Sequence, residues 1–229
     1  MRIWDINPGY LNRQSLLGEH RELHGVVSII TKGKKGYSRH PETIRWIGHG
    51  WALRQRHRQL ACEMALRGFT DKSSVTTRSN NGIWPATYLD QPDRQFQLLK
   101  KKYANKEPGR IPIPKNTQQL WSHHKYSALA RDPSLYQKIG HQLSHTKGNF
   151  SDLAVLLTEL LRKPPKKGGI RNAVQHMWGH VSGDPSPHNS AVNSWSLRRL
   201  LQETQTRAIT TNEPYLKSST ALSELMAWL

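Results

Sequence analysis

An α-amine at Met1, guanidinium groups at Arg2 and Arg21, and a carboxylate at Glu22 are the parts of a Schiff-base reaction at a sugar carbon. An amine that attacks such a carbon forms a covalent imine and opens the sugar to elimination at its 3′ phosphate. A terminal amine suits this work: its reference pKa is about 8 against roughly 10.4 for lysine, so far more of it is neutral and nucleophilic near pH 7. Arg2 is a large second residue, and an initiator methionine is removed efficiently only before a small one, so Met1 is expected to survive and carry the amine. Glu22 would hold the sugar and move protons. Arg2 and Arg21 would grip the flanking phosphates through bidentate contacts. Taken from residues alone, the same Arg-Glu pair reads more simply as a solvated surface pair on a helix.

Those residues need elements to position them, and the apolar spacing is helical almost throughout. Leu11, Leu16, Leu23, Val26 and Val27 predict a first helix from about Asn12, a candidate cap, to Ile30. The basic Gly-rich run from Thr31 to Gly36 ends it. Pro41 opens a second helix, with Ile44, Ile47, Leu53, Leu60 and Met64 as its core stripe and Gly68 as its stop. Its other faces carry Arg45, Arg54, Arg56, Arg58 and Arg67. The polar stretch from Thr70 to Pro92 reads as an irregular connection anchored by Trp84 and Tyr88. Phe96, Leu98, Leu99 and Tyr103 resume the helical pattern, which halts at a Pro-Gly-Arg-Ile-Pro-Ile-Pro run ending at Pro114. That run is extended and marks a boundary, giving regions 1–114 and 115–229. Further helices are expected near 116–130, 133–145, 149–162, 169–180, 193–207 and 218–227, with a flexible loop from Ser182 to Asn193. Two-residue alternation and internal repeats are absent, so the expected fold class is all-α: a compact multi-helix protein with irregular connecting loops.

Charge narrows the partners. The 229 residues carry 34 Lys+Arg against 16 Asp+Glu, a net charge of +18, and the pI is near 10.3. Such an excess points to a polyanion, with double-stranded DNA, damaged in the present reading, as the leading partner. Lys32, Lys34, Lys35, Arg39, Arg54 and Arg58 are candidate backbone contacts, and Lys100–Lys102 form a second cluster; each of them singly is as readily a solvated side chain. A membrane surface is the competing polyanion, but no long basic amphipathic helix has a uniformly apolar face. The longest apolar stretch, around Leu153 to Leu161, is too short to span a bilayer. Cys62 stands alone, which excludes an intrachain disulfide framework or a cysteine zinc site and suits a reducing compartment. The expectation is a cytoplasmic, nucleoid-associated monomer without a signal peptide.

Arg2-Ile3, Leu16, Glu19 and Arg21-Glu22-Leu23 form one set of matching positions, and Gly48-His49, Arg58-Gln59, Glu63 and Leu66-Arg67-Gly68-Phe69 form another. Through them the opening resembles the pyrimidine-dimer DNA glycosylase family of the phage endonuclease V type. The resemblance covers about the first 70 residues and extends loosely to Tyr126. It implies a glycosylase and abasic-site lyase whose amine belongs to the first residue of the mature chain, aligned here with Met1. It also implies an essential glutamate at Glu22 and DNA-contacting arginines at Arg2 and Arg21. Family members bend DNA and extrude a base opposite the lesion. This chain departs from the family at Ser15, where an active-site histidine is expected, and at Gly25, where an arginine is. His24 is the nearest residue able to substitute as a DNA contact.

A second pattern runs from about Leu120 to Val181 through Trp121, His124-Lys125-Tyr126, Leu129-Ala130, Tyr136, Gly140, Pro164, Lys167-Gly168-Gly169, Asn172, Gln175-His176 and Gly179. Through these residues the chain resembles a helical domain of unknown function also found fused to thiouracil desulfurase-like proteins. That resemblance implies nucleic-acid binding beside a catalytic module, with Lys125, Lys166, Lys167 and Arg171 as contacts. Gly168-Gly169 could present amides to an anion at a helix start, or simply cap a helix between packed neighbours.

Histidines recur four apart at His20 and His24, His141 and His145, and His176 and His180, a spacing that can place two ring nitrogens on one metal. Met177 occupies the glutamate position of the metalloprotease pattern, and no neighbouring carboxylate in sequence completes a site, so no metal and no cofactor is expected. The leading reading is a metal-independent, bifunctional DNA glycosylase/abasic-site lyase acting on pyrimidine dimers or another base lesion, with Met1 and Glu22 catalytic. The alternatives are a non-catalytic DNA- or RNA-binding protein, and a metal-dependent nuclease or RNA-modification accessory built on the histidine pairs.

Overall fold

The computed structural model describes residues 1–146, 148–183, 192 and 194–229, and divides into two compact units, Met1–Gly109 and Arg110–Leu229. Every regular element among the described residues is helical. The expected loop from Ser182 to Asn193 falls largely on residues 184–191 and 193, outside the described residues.

The first unit begins with an extended segment and a short 3₁₀ turn, Pro8–Tyr10. Helix α1, Arg13–Lys32, starts where the Asn12 side chain accepts from the Ser15 amide at 2.9 Å and ends at Gly33, whose φ of 61° is the left-handed conformation that closes helices. Its buried stripe is Leu16, Glu19, Leu23, Val26 and Val27.

The single helix expected from Pro41 to Gly68 is instead two, α2 (Pro41–Trp46) and α3 (Gly50–Leu66). Gly48, at φ 83°, makes the break, a conformation costly for any residue with a Cβ. The break rotates the expected core stripe: Ile44 and Ile47 are 54% and 58% exposed, whereas Trp46 is buried and donates its indole N–H to Glu42 at 2.8 Å. Helix α4, Pro92–Lys102, completes the unit and turns Gln95, Phe96 and Leu99 inward.

Of the five arginines expected on outer helix faces, Arg45 and Arg56 are buried and Arg67 is partly covered. Arg56, 2% exposed, forms a two-pronged pair with buried Glu19 at 2.7 and 3.0 Å and donates to the Ile6 carbonyl at 2.9 Å. Arg45 pairs with Asp5 and Glu42, each at 2.8 Å, and reaches the Ile3 carbonyl at 3.2 Å. Arg67 pairs with Glu63 at 2.7 Å and donates to the carbonyls of Leu11 and Gly9. A buried charge stripped of its partner costs several kcal/mol, so these pairs fix the chain path strongly even where their net contribution is small.

The second unit packs α5 (Thr117–Leu129), α6 (Pro133–His145), α7 (Phe150–Arg162), α8 (Lys167–Trp178) and α9 (Leu197–Thr210), followed by short turns α10 (Pro214–Lys217) and α11 (Ala221–Glu224) and a 3₁₀ turn, Leu225–Trp228. Asn116, Asp132, Asn149 and Ser196 cap α5, α6, α7 and α9 with side-chain oxygens. A Cβ on Gly169 would meet the Ala130 carbonyl oxygen at 2.1 Å, so this glycine lets the start of α8 approach the end of α5. That contact favours the packing role for the Gly-Gly turn over an anion site. Arg131 pairs with Glu224 at 3.0 Å, and Thr220 donates to the His123 carbonyl through both its amide and its hydroxyl.

Candidate active site

The first residues run extended because the core takes hold of them from three sides. Ile3, Trp4 and Ile6 are buried, the Ile3 carbonyl is held by Arg45, and the Ile6 carbonyl by Arg56. Gln95 of α4 accepts from the Asp5 amide at 2.9 Å and donates to the Asp5 carboxylate at 2.9 Å. The next step toward the terminus is a hydrogen bond from the Arg2 amide to the Glu22 carboxylate. It sets the α1 glutamate against the peptide that joins residues 1 and 2, both of which remain partly exposed.

The Arg2 side chain is engaged by the protein itself. It pairs with Asp90 at 2.7 Å, and its guanidinium carbon lies 4.2 Å from the centre of the Trp4 ring. Arg21 points from α1 into solvent. Lys32, Lys34, Lys35, Arg39 and Arg58 are exposed, and Lys35 and Arg39 line an open surface pocket with Tyr37, Ser38 and His40. Arg54 differs: its guanidinium is spent on the Thr77 carbonyl and hydroxyl, the Ser79 carbonyl and the Asn80 side chain, clamping the irregular segment after α3. Lys125, in the second unit, lies 4.9 and 4.5 Å from the Tyr126 and Tyr215 rings.

His24 does not stand beside Glu22. At about 100° per residue the two lie roughly 200° apart around α1. Glu22 leaves one edge of the buried stripe, and His20 and His24 leave the other. On that second edge they meet His57 of α3 and Asp71, and the donor atoms of all four lie within 4.8 Å of one another. Burial lowers the His57 imidazole to about 4 despite Asp71, and burial with neighbouring His20 lowers His24. Burial alone would raise the Asp71 carboxyl, but the Ser73 amide and hydroxyl, then His57 and His20, bring it below its ordinary value.

Sequence spacing therefore missed three things: the carboxylate that completes the first histidine pair, the Asp90 partner of Arg2, and the internal role of Arg45 and Arg56. Each joins residues at least 37 positions apart, beyond any local pattern. The other histidine pairs gain no carboxylate among the described residues. His141 and His145 pack ring to ring at 4.5 Å, while His180 meets the Tyr126 hydroxyl at 2.8 Å and stacks on Tyr215.

No helix among the described residues is long and apolar enough to cross a membrane. No curated protein and no solved structure matches the chain. Residues 125–214 match a family described as a protein of unknown function (DUF1722). Residues 1–77, which contain the pinned N-terminal segment, Glu22 and the arginines around them, match the family described as pyrimidine dimer DNA glycosylase, a likeness to enzymes of DNA repair.

Proposed function

We propose that the first unit is a bifunctional DNA glycosylase and abasic-site lyase acting on pyrimidine dimers or a related base lesion. The observation that carries this reading is the Arg2 amide bonded to the Glu22 carboxylate, at the end of a segment held by polar contacts at the Ile3 carbonyl, the Asp5 amide and the Ile6 carbonyl. The reading requires a free α-amine on Met1, which intact-mass measurement checks directly. That amine attacks C1′ of the damaged nucleotide and the glycosidic bond breaks, the base leaving with a proton. The C1′–O4′ bond then opens, O4′ takes a proton, and the nitrogen and C1′ become an imine. Glu22 holds the sugar and relays these protons, and loss of a proton from C2′ expels the 3′ phosphate as the C3′–O bond breaks. No metal is needed for these steps.

Positioning would account for much of the rate, since a terminal amine on a flexible arm would sample many unproductive geometries. Arg21 is available to a phosphate as it stands. Arg2 reaches one by leaving Asp90 or by sharing it. The exposed Lys32, Lys34, Lys35, Arg39 and Arg58 supply backbone contacts, and Lys125 is the candidate contact in the second unit.

The test is Glu22→Gln on duplexes with one thymine dimer, one abasic site or neither. The expected result is loss of cutting on both damaged duplexes with binding retained. Equal binding of all three duplexes and no cutting by the unaltered protein would leave a nucleic-acid-binding protein and remove the enzyme.

A further inference from the structure

The structure assigns a zinc-type divalent metal site to His20, His24, His57 and Asp71. The proposal is independent of the lyase reading, because the cluster occupies the opposite edge of α1 from Glu22, and it replaces the sequence-based expectation of no metal.

Distances carry it. His20 Nε2 lies 3.2 Å from His57 Nε2, His20 Nε2 lies 3.3 Å from one Asp71 oxygen, and His57 Nε2 lies 3.4 Å from the other. Donors at about 2.0–2.1 Å from a tetrahedral zinc are separated by about 3.3–3.4 Å, the edge of the tetrahedron. The two imidazole nitrogens are thus spaced as ligands of one ion, each with a different Asp71 oxygen at the same spacing, and the donor atoms of all four residues, His24 included, lie within 4.8 Å of one another. Side-chain exposures of 12% for His20, 8% for His57 and 16% for Asp71 give a site shielded from bulk water yet open to loading.

The surroundings resemble an outer ligand shell. The Ser73 hydroxyl donates to Asp71 Oδ1 at 2.8 Å and lies 2.9 Å from His24 Nε2, while the Ser73 amide donates to the same carboxylate at 2.9 Å. Such contacts fix the rotamers of the side chains that would hold the ion. One helical position away, the Glu19–Arg56 pair sets the register of α1 against α3, which brings His20 opposite His57. Three imidazoles and one carboxylate suit zinc and its neighbours in the first transition row, and do not suit magnesium or calcium, which take oxygen. The ion would bind α1 to α3 and tie down the first residues of the irregular segment that follows α3.

The experiment is metal analysis of the purified full-length chain, followed by removal of metal and titration with zinc and with cobalt as a spectroscopic stand-in. The expected result is one equivalent of zinc per chain, the strong visible absorption of a four-coordinate ion when cobalt is added to the metal-free chain, loss of that absorption when zinc follows, and no competition from magnesium. His57→Gln and Asp71→Asn should each weaken zinc binding by about 10²-fold or more, while His141→Gln, outside the cluster, leaves it unchanged. The cobalt spectrum of the unaltered chain keeps the test open should either variant fail to fold. Absence of stoichiometric zinc with no cobalt absorption overturns the site. So does zinc affinity unchanged in folded His57→Gln and Asp71→Asn.

Discussion

The two units hold themselves together with different chemistry. The first buries charge: Glu19 with Arg56, Arg45 with Asp5 and Glu42, and Glu63 with Arg67. The second buries mainly apolar side chains from α5, α7, α8 and α9, with Arg131 and Glu224 as a buried pair and two neutral histidines, His123 and His124. Ion pairs are a poor source of net stability but a strong source of specificity, since each guanidinium accepts only a narrow set of partners and directions. In the first unit that directionality is spent on the backbone of residues 3, 6, 9 and 11, the path that delivers the chain start to Glu22. The unit that has an extended end to position is the one with the polar core.

Glu22→Gln should lower strand cutting by about 10²–10⁴-fold, the range expected for loss of a positioned acid–base group, without altering the thermal midpoint. A variant equally inactive but substantially unfolded would make Glu22 a member of the scaffold instead. Next in size is the scaffold itself. Arg56→Ala leaves Glu19 buried and unpaired, and denaturant unfolding should show a loss of about 3–5 kcal/mol, whereas replacing both partners with apolar residues should lose much less. A double replacement that restores stability but not cutting would separate the positioning role from the energetic one.

Acid should weaken the second unit through two buried histidines. Burial lowers His124 to about 3 and His123 to about 4, with Arg110 also acting against the charged form of His123. Their folded pKa values lie below the unfolded value of about 6.5, so the unfolded chain binds more protons between those limits. The contribution is fully present above about pH 6.5 and is lost as pH falls, by roughly 2–3 kcal/mol per histidine at about pH 4.5. Thermal melts across that range should show a steeper loss for the unaltered protein than for His124→Gln. The smallest effect is expected at Asp90→Asn, which releases Arg2 from a partly exposed pair: less than about 1 kcal/mol of stability, with a modest gain in DNA affinity measured at fixed salt.

Much of the helical framework was legible in sequence because it is written locally. Asn12, Asn116, Asp132 and Asn149 are caps, and the elements they open begin within a few residues of the expected positions. The division of one expected helix into α2 and α3 was not, since Gly48 inside an apolar pattern reads as a tolerated glycine until its positive φ is seen. For the site, Glu22 and the arginines could be named from their types and from family resemblance, but what each arginine touches could not. Arg54 and Arg56 are two positions apart on one helix and equally basic in sequence. One clamps residues 77–80 and the other is sealed against Glu19, an outcome set by partners 23 and 37 positions away. Asp71 is hidden for the same reason: packing of the segment after α3 against α1 and α3, not spacing along one helix, brings it to the histidines.

If the α-amine of residue 1 is the nucleophile, borohydride will trap the imine on abasic-site and thymine-dimer duplexes. The expected result is a covalent protein–DNA adduct that mass spectrometry maps to the α-amine of Met1, and that is lost when this amine is blocked. An adduct mapped to a lysine side chain, or tight binding to both duplexes with no adduct at all, would contradict it.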